Sequence, residues 1–161
     1  MPRIPAPRRP ASAVRAALQF AVPASGAPGA ARLRRWIRAA ARGATEVTLR
    51  VVGRAEGRRL NRAYRGRDYA TDVLTFAYGT RPFRGDIVLC HPVLVRAAKE
   101  RGAALDAHYA HLVVHGMLHL RGHDHQRPRD AVRMEALERR ILARLGFPDP
   151  YAVESRGQRR R

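Results

Sequence analysis

A single cysteine, Cys90, among 161 residues leaves no disulfide within one chain and excludes thiolate-rich metal sites such as zinc fingers and iron–sulfur centres. Any metal must then be held by histidine or carboxylate. No apolar run approaches the roughly 20 residues that span a bilayer. Pro2, Pro5, Pro7 and Pro10 interrupt the basic N-terminal segment where a secretory leader would need an apolar core. These absences set the expectation of a soluble, cytoplasmic chain with no membrane partner. Acidic residues are scarce too: 13 stand against 32 basic ones, for a formal net charge of +19. Such a charge favours polyanionic partners, nucleic acid first, because phosphate contacts release condensed counterions. Lys99 is the only lysine, so nearly all of that charge is arginine, and a compositional bias is a competing source of it.

What is present reads as one domain, expected over residues 13–152, between a basic Pro-rich tail at 1–12 and a second basic tail at 153–161. Residues 13–22 suit a first strand, and the Pro- and Gly-rich stretch 23–29 a loop. Leu33, Trp36, Ile37 and Ala40 recur at helical spacing, predicting a helix over 30–41. Val47, Leu49 and Val51 alternate with Thr48 and Arg50, the period of a half-buried strand. A second helix is expected to about Tyr64. Two paired strands follow, at 71–78 and 86–90, with Gly79, Pro82 and Gly85 in the turn between them. His91-Pro92 opens a helix to about Arg101. Asp106 is placed to cap a longer helix ending at Gly122, and a last helix runs from about Arg129 to Leu145. The pattern is α+β: one domain, a mixed sheet of about four strands, and about five helices.

The central helix carries the chemistry. One face presents Leu105, Tyr109, Leu112, Val113, Gly116, Met117 and Leu120; another presents His108, His111, His115 and His119. His115 and His119, four residues apart, project from successive turns and can share one ion. Gly122 can adopt the left-handed conformation that reverses the chain and brings His125 back. Three imidazoles would leave the fourth corner of a tetrahedron open, as in catalytic rather than structural zinc. The spacing His, His at +4, Gly at +7, His at +10 is that of the metzincin peptidase motif HExxHxxGxxH. The glutamate that serves those enzymes as general base is here Gly116, which moves the expectation from amide toward phosphate ester.

The same run, His115 to His125, resembles the HGxLHLxGxDH signature of the YbeY family of bacterial metallo-endoribonucleases. Leu60-Asn61 with Tyr64-Arg65-Gly66 resembles that family's LNxxYRG segment. Thr71 to Phe76 resembles T(D/N)VLSF, and Gly85-Asp86-Ile87 a GD-plus-strand element. Ala107-His108 with Ala110-His111 resembles the start of its AHxxH helix, and Met134 to Glu138 its final helix. The likeness covers about residues 45–151. It implies that His115, His119 and His125 ligate one Zn2+, that Arg65 is catalytically important, and that the substrate is single-stranded RNA. It further implies partners in rRNA and the small ribosomal subunit, with 16S rRNA 3′-end maturation and ribosome quality control as the setting. His123 stands where the family has an aromatic residue and Thr75 where it has serine, so His123 adds a fourth imidazole beside the expected ligands.

Around this set, Asp124 is a candidate to orient a ligand or to cap the turn, and His108 and His111 to line the groove or be satisfied in the core. Asp72 and Asp86 are candidates to orient ligands or Arg65, against plain roles at turns and strand ends. Two other functions compete with the nuclease: a non-catalytic RNA-binding assembly factor with structural zinc, and a zinc peptidase.

Overall fold

Four strands and five helices follow one another in the computed structural model, which describes residues 13–152. The two expected basic tails lie outside the described residues. The strands are β1 (Val14–Phe20), β2 (Thr45–Val52), β3 (Val73–Thr80) and β4 (Phe83–Cys90). The helices are α1 (Ala30–Ala40), α2 (Arg54–Arg65), α3 (His91–Arg101), α4 (Leu105–Leu120) and α5 (Pro128–Arg144). The sheet is mixed, in the order β1-β2-β4-β3: β2 runs parallel to both β1 and β4, and β3 runs antiparallel to β4. The α+β class, the strand and helix numbers and the mixed sheet are those expected from the sequence.

The inner face of the sheet is covered by α1 and α4, and α5 packs on α4 behind them. Leu33, Trp36 and Ile37 of α1 meet Val47, Leu49 and Val51 of β2, while Met117 and Leu118 of α4 and Leu142 of α5 close the same core. Burying each such side chain contributes about 1.5–3 kcal/mol. Trp36 packs edge-on against Phe147, with ring centroids 5.4 Å apart. On the outer face a smaller cluster, Val52, Leu74, Val88 and Cys90, is covered by Leu60 of α2 together with Ala70 and Val93. Helix α2 therefore shields one end of that face and leaves the other open.

Two local expectations are corrected. Strand β4 begins at Phe83, so Gly85 lies within the strand rather than in the turn. A Cβ at position 85 would lie 2.2 Å from Leu120 and 2.3 Å from the Phe76 carbonyl oxygen, so glycine is required there for close packing. Helix α4 is capped by Ala104 without a side-chain bond, and Asp106 lies in its first turn, where it pairs with Arg32 of α1. That pair ties the two helices together at the surface.

Candidate metal centre and its cleft

Helix α4 is buried on nearly every side, because α1, α3, α5 and the sheet all pack on it. Gly116 lies close against the sheet: a Cβ there would lie 3.0 Å from Ile87, so a side chain at that point requires Ile87 to give way. Position 116 thus faces β4, and a glutamate placed there would be driven into Ile87.

At the C-terminal end of α4 the chain reverses through Gly122, with φ +90°. The Gly122 N–H bonds the His119 carbonyl at 2.9 Å and the His123 N–H bonds the Leu118 carbonyl at 3.0 Å, the paired closure of a glycine-terminated helix. Asp124 then accepts the backbone N–H groups of His125 at 2.7 Å and Gln126 at 3.2 Å through Oδ1. It stabilises the turn that presents His125 rather than bonding an imidazole.

The outcome is a convergence of three rings. His115 and His119 bring their Nε2 atoms to 3.1 Å, and the His125 ring centroid lies 5.4 Å from that of His115 and 5.1 Å from that of His119. One nitrogen from each falls within 4.8 Å of the other two. A zinc ion with nitrogen ligands at about 2.0–2.1 Å in tetrahedral geometry separates them by roughly 3.3 Å, so the arrangement fits. Burial, reinforced by the neighbouring His115 and His125, holds the His119 imidazolium pKa down to about 4, which keeps the ring in the neutral form that ligates metal. His123 lines the same cleft but does not join the convergent set.

Glu138 of α5, a residue not among the sequence-level site candidates, fixes the innermost ligand. Its carboxylate is 1% exposed and accepts three bonds: from His115 Nδ1 at 3.0 Å, from His111 Nε2 at 2.5 Å and from the Tyr151 hydroxyl at 2.7 Å. Burial alone would raise the Glu138 carboxyl, but the bonds from His111 and His115 outweigh it and hold the pKa down to about 2. With Nδ1 of His115 committed to this carboxylate, Nε2 is the nitrogen turned toward His119 and free to ligate. His111, His115 and Glu138 are themselves close enough to hold an ion. That group is buried and already closed by direct hydrogen bonds, whereas the set containing His119 and His125 opens onto a cleft. Tyr151 is held by the Asp149 carboxylate, which accepts its N–H at 2.8 Å, and by Arg139 stacked 5.0 Å above its ring.

Arg65 ends α2, where Gly66 turns the chain at φ +68°, and it lines an open cleft of about 770 Å³ together with Arg67, His119, His123, Asp124 and His125. Arg65 and the histidines, distant in sequence, thus share one cavity. The other candidates are elsewhere. His108 and His111 are 4% and 7% exposed and do not open onto the cleft; His111 bonds Glu138, while His108 Nε2 finds no partner among the described residues. Burial pushes the His108 pKa down, with Arg101 adding to the effect, so that ring is carried neutral. Asp72 accepts the Val73 N–H at 2.8 Å at the start of β3, and Asp86 accepts the Tyr78 hydroxyl at 2.7 Å on the outer face of the sheet. Neither touches a ligand imidazole or Arg65.

The family model described as "Endoribonuclease YbeY" matches residues 30–146. The chain belongs to the YbeY family. A relative of that name from Aromatoleum aromaticum is 60% identical over 126 residues, covering 78% of this chain and 82% of its own length. The Nitrosomonas eutropha relative is 50% identical over 138 residues, with 85% and 98% covered. The solution structure of a Thermotoga maritima protein superposes with a TM-score of 0.50 at 24% identity, covering 83% of this chain and 91% of that one, a likeness of fold.

The signal for Glu138 was present in the chain. Met134, Ile141 and Leu142 mark the buried face of α5, and Glu138 stands between them on that face, a carboxylate where an apolar residue is the rule. Tyr151 lies beyond Gly146 and Pro148, outside any periodic pattern, and only the fold brings it back to Glu138.

Proposed function

We propose that this chain is a zinc-dependent endoribonuclease that cuts single-stranded RNA, acting in the cytoplasm on the small ribosomal subunit, in 16S rRNA 3′-end maturation and ribosome quality control. Family membership supports the class of reaction, hydrolysis of RNA. The observation that carries the metal-dependent reading is the convergence of His115, His119 and His125, of which His119 and His125 line the cleft together with Arg65. Bound there, zinc would supply Lewis-acid stabilisation of charge developing on the scissile phosphate. Arg65 presents a planar guanidinium suited to grip two phosphate oxygens and hold the diester in the cleft. Glu138 orients His115. Gly116, pressed against Ile87, leaves the peptidase base with no place, which disfavours amide hydrolysis.

The test is cleavage of an RNA with single-stranded ends around a stable stem by metal-loaded and by chelated protein. Cuts confined to the single strands and abolished by chelation are expected. Cleavage that survives verified metal removal contradicts the reading, and RNA binding without any cleavage would return the assembly-factor alternative.

A further inference from the structure

The uncovered end of the outer sheet face bears a groove of about 350 Å³ whose floor includes Gln19, Thr48 and Phe76 and whose walls include Tyr64 and Tyr78. Both tyrosines are large aromatics left exposed, at 68% and 65%. Neither is loose. Tyr64 packs edge-on against Phe76 with centroids 5.0 Å apart, and Tyr78 is pinned through its hydroxyl to Asp86 at 2.7 Å, so each offers a fixed ring to solvent. The two acidic groups of the groove are engaged. Glu56 is gripped by Arg50 through bonds of 2.6 and 2.8 Å, and Asp86 accepts from Tyr78. An adjoining hollow of about 330 Å³ shares Thr48, Tyr78 and Asp86 and brings in Arg15 and Arg84 against Glu46. Two consecutive residues at the end of α2 divide between the groove and the metal cleft: Tyr64 lines the first and Arg65 the second.

We infer that this face is a binding track for single-stranded RNA, with bases stacked on Tyr78 and Tyr64 and the strand passing over the end of α2 to present a phosphate at Arg65. The inference rests on the ribonuclease reading above and deepens it by assigning the substrate's path outside the metal cleft. Exposed rings interleaved with arginines are what an unpaired strand needs, since every base has a face to stack and every linkage a charge to neutralise. A duplex, whose bases are already stacked, cannot use the tyrosines, so the track also selects for single strands.

The test is the affinity of the full, metal-loaded chain for a fluorescent single-stranded RNA of about ten nucleotides, read by anisotropy within seconds of mixing. Tyr64→Ala and Tyr78→Ala are each expected to weaken binding roughly tenfold, while Tyr64→Phe, which keeps the ring, binds as the parent does. An RNA of the same length with abasic sites should bind parent and alanine variants alike. Because both side chains are exposed, the variants should melt with the parent chain. Unchanged affinity in both alanine variants overturns the track, as does an equal loss on the abasic strand. A parent chain that binds this RNA through the tyrosines yet never cleaves it would sink the nuclease reading and leave the track standing.

Discussion

Glu138 and His115, 23 residues apart in sequence and on different helices, meet through a 3.0 Å bond from His115 Nδ1 to Glu138 Oε1. That contact decides which nitrogen of the imidazole is turned toward His119. It also joins α4 to α5 at the place where the candidate metal centre begins.

Removing the charge from Glu138 should therefore register on the metal before it registers on the fold. Glu138→Gln is expected to weaken zinc binding about 10- to 100-fold in a competition titration. Glu138→Leu, which also strands His111 and Tyr151 in the core, should cost a further 1–3 kcal/mol or so of stability in a urea melt. Metal affinity unchanged in the glutamine variant would show that Glu138 only braces the core.

Arg65 is exposed and forms no ion pair among the described residues, so its loss should leave the fold intact. Arg65→Ala is expected to lower kcat/KM for RNA by about 10²-fold with an unchanged melting temperature. Arg65→Lys should recover only part of that loss, since an ammonium cannot make the two-pronged contact. Full activity in the alanine variant would remove Arg65 from the machinery.

Close packing predicts an order of damage for two glycines. Gly85→Ala meets Leu120 and a backbone carbonyl, which cannot both yield, whereas Gly116→Ala meets only the side chain of Ile87. The first should destabilise by more than the roughly 1–3 kcal/mol expected of the second. Equal midpoints for the two variants in chemical denaturation would contradict this ranking.

His119 gives the chelated protein a pH dependence of known sign. Its folded pKa of about 4 lies below the ordinary 6.5, so the unfolded chain takes up a proton first as pH falls. The stabilisation from keeping the ring neutral is complete above about pH 6.5 and is lost as pH drops toward 4. Urea midpoints of metal-free protein should fall across that window, and His119→Gln should flatten the fall. Identical slopes in parent and variant would deny His119 this part.

The α+β architecture was legible because its helices and strands carry clean periods, and the three histidines were legible because their spacing has a mechanical reading. What escaped depends on contacts between elements. His108 and His111 share a sequence face with His115, but the fold buries both, His111 against Glu138 of α5. Gly85 read as a turn residue, when its place is set by Leu120, 35 positions away in sequence. Glu138 broke an apolar pattern, yet the partners that give the break its meaning come from α4 and from Tyr151.

In the proposed zinc centre His125, and not the nearby His123, completes the set begun by His115 and His119. Metal content of purified variants after zinc loading tests it most directly. One zinc per chain is expected in the parent and in His123→Ala, and loss of that zinc in His125→Ala with the fold retained. Zinc kept by His125→Ala and lost from His123→Ala would contradict it.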